Sequence, residues 1–370
     1  ETVVANYASA DIPLETQWMD IDYMDAYKDY TSSPTNFPID QVKSFVDKLH
    51  ANKQQFVQII DPGIFPEDGY KAWDDGSKLD VFTKGLDGNN YLGQVWPGPA
   101  VFPDWLNPKT TGYWSDQITN YLDQVSLDGL WIDMNEVSNF CNEDGKGQVC
   151  HVPSDKKCPS GNIEDQTTCC LECSTVDANN KYDFPPYAIG TVYGTLGGKT
   201  MATSSVHFGN VTDYDVHNMY GLMEAKATNV ALQKARGKRP FIITRSSFPS
   251  SGKHTGKWSG DNKSTWDDLK SSIISLFDFN MFGIPMIGSD ICGFIDNTTE
   301  ELCARWAELG SFYPFSRNHN ALGSAPQEYY LWDSVAGAAK KALKMRYELM
   351  PYLYTLFASA AGAREQDANP

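Results

Sequence analysis

The chain has 370 residues, of which 41% are hydrophobic and 21% charged, with 29 Gly and 20 Pro; this is the profile of a folded globular protein and excludes a disordered or fibrous one. Its formal net charge is -17, which six His do not offset, so a large surface for nucleic acid or anionic membrane would work against the field of the whole chain, and both partners are set aside. No apolar run approaches the roughly 18 residues of a membrane span.

In chain order, Glu1 to Ala10 reads as a helix; no signal peptide precedes it, so a processed or internal start is expected. A short apolar, β-rich run ending in Asp, Arg or His, followed by a longer amphipathic segment, then recurs. Strands are expected at Leu14 to Tyr23, Phe56 to Pro62, Gly129 to Asn135, Pro240 to Arg245, Lys257 to Asp261, Ile284 to Asp290 and Ser311 to His319. Helices are expected at Ile39 to Asn52, Tyr113 to Val125, Asn218 to Ala235, Thr265 to Phe282, Thr299 to Leu309 and Val335 to about Ala360. Asp40 and Thr299 suit first-turn or N-cap positions, and Pro38 precedes the first of these helices.

The alternation implies parallel strands with crossover helices, an α/β fold of the (β/α)8 TIM-barrel class. Residues 1–370 are read as one partial barrel, with 139–187 as a Cys-rich insertion after its fourth strand. Seven strands are one short of the eightfold ring, and a gap leaves two unpaired edges. The first strand is therefore expected from an upstream segment on a separate companion chain.

Of eight Cys, six fall between Cys141 and Cys173 in a polar stretch. An even count clustered there points to disulfides formed in an oxidising compartment. A zinc knuckle of Cys169, Cys170 and Cys173 with His151 is the rival, weakened by adjacent Cys and the missing paired CxxC spacing. Cys292 and Cys303 suit a short local bridge. The sequons at Asn210, Asn262 and Asn297 fit the secretory pathway, although Asn262 is expected to begin a helix instead of carrying glycan. Secretion, or residence in the lumen of the secretory pathway, is expected.

In an α/β barrel, working residues sit at the C-terminal ends of strands, which here hold Asp20, Asp22, Asp61, Asp133, Glu136, Arg245, Asp261, Asp290 and His319. Carboxylates are seldom buried unpaired, so so many at strand ends point to a site. In Asp128-Gly-Leu-Trp-Ile-Asp-Met-Asn-Glu136 an apolar strand delivers Asp133 and Glu136 beside Trp131, although a bare Asp-x-x-Glu spacing also suits a helix start. Trp258-Ser-Gly-Asp261 follows two strands later. Two acids delivered from different strands suit glycosidic cleavage, one to attack the anomeric carbon and one to protonate the leaving oxygen.

The segments Trp131-Ile-Asp-Met-Asn-Glu136, Ile243-Thr-Arg-Ser246, Gly260-Asp-Asn262, Asp290-Ile-Cys-Gly-Phe294 and Phe315-Ser-Arg-Asn-His-Asn320 resemble the signature blocks of glycoside hydrolase family 31, in the family's order, over Ile12 to Phe357. The Trp-Ile-Asp-Met-Asn-Glu form resembles the maltase-glucoamylase, lysosomal and fungal secreted α-glucosidases more than the α-xylosidases or glucosidase II. The resemblance implies an α-glucosidase acting on α-glucosides and malto-oligosaccharides without a cofactor. Asp133 would be its nucleophile and Asp261 its general acid/base. Glu136 would help to hold the nucleophile loop. Asp20, Arg245 and His319 would bind sugar hydroxyls, Asp290 would support the site, and Ile21, Ile59, Trp96, Trp131, Met134, Trp258 and Phe294 would wall the pocket. It also implies a Cys292–Cys303 bridge, and companion segments carrying an N-terminal β-sandwich and C-terminal domains.

Physical chemistry fits these roles. Arg245 can fork onto sugar hydroxyls and keep Asp133 ionised, while Asp261 must hold its proton until cleavage, near an apolar surface such as Trp258. A carboxyl separation of about 5 to 5.5 Å would give a covalent glucosyl-enzyme and retention, with transglucosylation when a sugar replaces water. The insertion is expected to overhang the pocket and shape leaving-group subsites. An α-xylosidase, an α-glucan lyase and a non-catalytic carbohydrate-binding relative are the alternatives.

Overall fold

The computed structural model describes residues 1–155, 158 and 168–366, and it divides into two compact units, Thr16–Thr255 and Glu1–Glu15 with Gly256–Pro370. In chain order the strands are β1 (Thr16–Met19), β2 (Gln55–Ile60), β3 (Gly93–Val95), β4 (Gly98–Ala100), β5 (Gly129–Ile132), β6 (Val149–His151), β7 (Glu172–Ser174), β8 (Val206–His207), β9 (Val211–Thr212), β10 (Ile242–Thr244), β11 (Gly256–Trp258), β12 (Ile287–Gly288), β13 (Asp290–Ile291) and β14 (Arg317–Asn318).

The unit Thr16–Thr255 is built on parallel strands in the order β1, β2, β5, β10. β5 is buried along its whole length and β2 after its first residue, as in strands covered on both faces; β5 is apolar throughout, and β2 is interrupted after its first residue only by the buried Gln58. Crossover helices follow the 3.6 period. Ile39–Ala51 buries Val42, Val46 and Leu49, spaced one helical face apart. Thr110–Leu122 meets Tyr220–Arg236 through Trp114, whose ring N–H donates to Thr228 Oγ1 at 2.9 Å. The latter helix stops at Gly237, which takes the left-handed φ of 61° that a C-terminal turn favours.

The Cys-rich insertion is a disulfide-stapled hairpin. β6 and β7 pair antiparallel with Cys150 opposite Cys173, and these two are bridged. Cys141–Cys169 and Cys158–Cys170 complete the set. All three Cys of the zinc-knuckle alternative are thus disulfide-bonded, and His151 faces Glu172 at 3.5 Å. Gln94 of β3 anchors the insertion: its amide donates to the Thr168 carbonyl and accepts from the Cys170 N–H, both at 2.9 Å. The expected insertion also includes 156, 157 and 159–167, which lie outside the described residues.

In the other unit β11 and β12 run parallel, as do β13 and β14, with Asp290 opposite Arg317. Gly288 is required where the chain crowds: a Cβ there would lie 1.8 Å from the Phe315 carbonyl oxygen. Trp306, Ala307, Cys303 and Leu302 of the helix Glu300–Gly310 form its core with Tyr313, Val335 and Ala339, against Tyr7 of the helix Thr2–Ser9.

All seven expected strands are represented but shorter, and the first five end before their terminal polar residues. Leu14 to Tyr23 becomes β1 followed by a 3₁₀ turn at Ile21–Tyr23. Ile284 to Asp290 becomes two short strands with different partners, and of Ser311 to His319 only Arg317–Asn318 is strand. Asn262 does not begin the following helix; Thr265 caps it, accepting from the Asp268 N–H, as Thr299 caps its own helix through the Leu302 N–H. Asn262 instead fastens a loop, its amide donating to the Asp290 carbonyl at 3.0 Å and its own carbonyl accepting from Phe294 and Ile295.

Candidate active site

Asp133 is the first residue after β5, and register sets its neighbours. Ile132 lies opposite Ile60 on one side and Thr244 on the other, so Asp61, Asp133 and Arg245 follow side by side at the ends of β2, β5 and β10. Arg245 Nη1 stands 3.0 Å from Asp133 Oδ1. Two further donors grip Glu136, Nη2 to Oε1 at 2.6 Å and Nε to Oε2 at 3.1 Å, and Nη2 also reaches Met134 Sδ at 3.0 Å. This is the two-pronged geometry in which a planar guanidinium grips a carboxylate. One cation thus holds two acids, and Met134, at φ 55°, turns the chain tightly enough to bring both to it.

The turn is pinned from behind. Asn135 Nδ2 donates to Thr244 Oγ1 at 2.9 Å, and Asn135 Oδ1 accepts from the Ser246 N–H at 2.8 Å. Beneath lies Glu224, which is 0% exposed, with both carboxyl oxygens buried and without a hydrogen-bond partner among the described residues; burial pushes its carboxyl well above the usual range against the pull of the nearby Asn135 amide. Asp128, which opens the same motif, has a structural job: it accepts from the Phe56 N–H at 2.9 Å and pairs with His50 and Arg236, each at 2.7 Å.

Trp131 is buried on β5 opposite Ile59, with its ring edge-on to Trp18 at 6.2 Å. Ile21 is buried behind Asp20, whose Oδ1 accepts from the Ile21 N–H at 2.7 Å and caps the 3₁₀ turn. Asp22 is exposed on that turn. Trp96 lies edge-on to Phe140 at 5.0 Å, where the Cys-rich insertion leaves the body of the unit.

In the other unit Asp261 is exposed beside Gly260, whose φ is 79°. Trp258 is buried, with the Arg317 guanidinium 5.4 Å from its ring centre. Asp290 is buried on β13 and takes both Nε (3.1 Å) and Nη2 (2.7 Å) of Arg317 on one oxygen. Phe294 stacks at a tilt on His319, their ring centres 5.2 Å apart. Cys292 and Cys303 are disulfide-bonded.

A buried chain of charges lies in the segment before the helix Tyr220–Arg236. His207 is held by Asp104 through Nδ1 (2.9 Å) and by Asp213 through Nε2 (3.1 Å), and Asp213 also takes His217 Nδ1 at 2.7 Å. Burial alone would push the His207 imidazole down, but the two carboxylates outweigh it and hold it up at about 9. Glu136 adds to Asp213 in raising His217, which couples this chain to the grip on Arg245. A raised imidazole stabilises the fold fully below its ordinary value of 6.5, and that contribution is lost as pH rises through about 9. Thermal unfolding midpoints should therefore fall between pH 6.5 and 9 in the unaltered protein and less steeply in His207→Asn. Equal slopes would contradict the pairing.

Glu224, Arg317 and the His207 chain were not marked by the sequence, because a buried ion pair and a solvated charge look alike in it.

Comparison with known proteins follows the same lines. Residues 1–356 match the model of the glycosyl hydrolases family 31 TIM-barrel domain. The chain is 49% identical over its whole length to a probable alpha-glucosidase of Oryza sativa subsp. japonica, and 47% identical over 96% of its length to alpha-xylosidase 1 of Arabidopsis thaliana. It spans 38% of the length of each. The crystal structure of a glucosidase II alpha subunit bound to Glc1Man2 superposes with a TM-score of 0.78 at 27% identity, covering 97% of this chain and 33% of that one.

Proposed function

The chain belongs to glycoside hydrolase family 31 and has that family's TIM-barrel fold, and from that premise we propose that it carries the catalytic centre of a retaining, exo-acting α-glucosidase. The observation that carries this reading is the shared grip of Arg245 on Asp133 and Glu136 at the ends of adjacent strands. A carboxylate held against a guanidinium stays anionic, as a nucleophile must.

In the proposed reaction Asp133 attacks the anomeric carbon of a terminal non-reducing glucose while the glycosidic C–O bond breaks and Asp261 gives its proton to the leaving oxygen. Asp261 then takes a proton from water, whose oxygen replaces Asp133 at the anomeric carbon and releases α-glucose; a sugar hydroxyl in place of water gives transglucosylation. Asp20, Arg245 and His319 are proposed to bind sugar hydroxyls, with Ile21, Ile59, Trp96, Trp131, Met134, Trp258 and Phe294 walling the pocket. Asp290 supports them through its ion pair with Arg317. We further propose that residues 1–370 form one catalytic barrel, that a companion segment supplies an eighth strand to close the seven described here, and that the insertion shapes leaving-group subsites. Four disulfides fit an extracellular or lumenal setting, and no helix among the described residues is long and apolar enough to cross a membrane.

The α-xylosidase alternative has weight because the relative of that name is nearly as similar as the glucosidase, which is closer than the motif comparison suggested. Xylose lacks the hydroxymethyl group of glucose, so the two activities differ in one pocket wall, a discrimination on the order of 10 to 200-fold in kcat/KM. Maltose, isoprimeverose and starch incubated in parallel with the whole protein separate the readings. Glucose release from maltose at least about tenfold faster than xylose release from isoprimeverose is expected. The reverse order, or an anhydro-ketose formed from starch by elimination in place of glucose, would replace this reading with the xylosidase or the lyase.

A further inference from the structure

A second acid flanks Asp133, and the chemistry above leaves it without a task. Asp61 follows β2 as Asp133 follows β5, and the Asp133 N–H donates to the Ile60 carbonyl at 3.2 Å. Asp133 therefore has the cation Arg245 on one flank and the carboxyl of Asp61 on the other. Asp61 is 2% exposed, and its own N–H donates to Asp29 Oδ1 at 2.7 Å. Asp29, from the loop after β1, is 0% exposed and accepts from the Tyr70 hydroxyl through its backbone carbonyl at 2.8 Å.

One oxygen of each acid, Asp61 Oδ1 and Asp29 Oδ2, is buried with no hydrogen-bond partner among the described residues. Two neighbouring buried carboxyls with unmet oxygens are costly as anions and far less so when one of them holds a proton. The surroundings agree. Asp133, Arg245 and Asp20 act electrostatically on Asp61, while Asp29 acts on Tyr23, Tyr30, Tyr70, Tyr113, Tyr121 and Glu224. Of these only Arg245 is a cation, and it is already engaged by Asp133 and Glu136. Burial, followed by the charges of Asp29 and Asp133, raises the Asp61 carboxyl well above its usual range; burial does the same to Asp29 against its backbone hydrogen bonds.

We propose that Asp61 is a positioning residue for the reaction: with Asp29 it holds a proton, and as a neutral neighbour it leaves Arg245 committed to Asp133. The inference rests on Asp133 being the nucleophile. Loss of that proton from Asp61 puts a second negative charge beside Asp133 and draws Arg245 toward it, which weakens attack at the anomeric carbon.

The test uses the whole protein and α-glucosyl fluoride, whose fluoride departs with little help from an acid, so an alkaline fall in rate does not merely report Asp261. The unaltered protein should lose about tenfold in kcat/KM toward its alkaline limit while still folded by circular dichroism. Asp61→Asn should lack that fall. Asp61→Ala should lower kcat by roughly 10 to 100-fold at neutral pH, with Asp61→Asn recovering most of the loss, since an amide keeps the neutral, hydrogen-bonding shape. Asn behaving like Ala would mean that the charge of Asp61 is needed. A folded, fully active Ala variant, or an alkaline fall shared by Asp61→Asn, would mean that it does not act through Asp133. Each of these results overturns the proposal. Should Asp61→Ala fail to fold, Asp29→Asn must move the same alkaline fall to lower pH, since Asp61 holds its proton less tightly without the charge of Asp29; an unmoved fall would overturn the proposal. Full activity in Asp133→Ala would instead overturn the nucleophile assignment, which keeps the two failures apart.

Discussion

Asp133→Ala in the whole protein is expected to lower kcat for an α-glucoside by on the order of 10⁴-fold or more, with the fold retained. The loss is large because a covalent route offers no substitute once its nucleophile is gone. The fold survives because Arg245 keeps both prongs on Glu136, at 2.6 and 3.1 Å, so removal of Asp133 leaves no unpaired buried cation. The alanine also leaves space on the face from which Asp133 is proposed to attack. Azide added with an activated α-glucoside should therefore restore turnover and give the β-configured glucosyl azide, the product of a single inversion. Unchanged activity without azide would overturn the assignment.

Arg245→Met is expected to damage both function and fold. It leaves Asp133, only 8% exposed, and Glu136 as neighbouring anions without their shared cation. Removing one partner of a buried pair costs about 3 to 5 kcal/mol, but Arg245 retains some exposure to solvent, so roughly 2 to 3 kcal/mol of stability is the expected loss. kcat should fall by about 10² to 10³-fold as the carboxylate loses its fixed position and its counter-charge. Arg245→Lys should recover little, because an ammonium cannot span Glu136 with two parallel bonds while also reaching Asp133. Chemical denaturation and steady-state kinetics on the pair of variants check both halves; a lysine variant close to wild type would show that charge alone, and not the fork, is what matters.

Much of the frame was legible in the sequence because strands between helices are nearly pure apolar runs. Gly129–Ile132 and Gln55–Ile60 stand out on that ground, and the residues that follow them stand out as polar punctuation. Strand ends were less legible. Polar residues such as Asp133 continue the pattern by position while belonging to the turn, so the expected strands ran too far. The helix Lys71–Leu79 was missed because its buried positions are Ala72 and Gly76, too small to register as an apolar stripe. Gly76 is there because a Cβ would lie 2.4 Å from the Phe82 ring.

The Cys count announced disulfides but not their pairing, since six Cys allow about 15 connectivities; strand register settles one pair by setting Cys150 opposite Cys173. The carboxyls behind Asp133 were only half visible. Asp61 was marked by its place after a strand, whereas Asp29 lies in an irregular loop and Glu224 lies in a helix whose composition resembles a solvated surface. Their burial depends on neighbours distant in sequence, such as Tyr70 against Asp29, and no local pattern encodes that.

The central claim is that Asp133 forms a covalent bond to the sugar, and trapping that bond tests it most directly. The whole protein would be incubated with 5-fluoro-α-glucosyl fluoride, digested, and searched by mass spectrometry for a peptide carrying the added fluoroglucosyl mass. The expected result is a single label on the carboxyl of Asp133, with loss of activity in proportion to labelling and protection by maltose. A label on another carboxyl, or full inactivation with none on the peptide that contains Asp133, would contradict it.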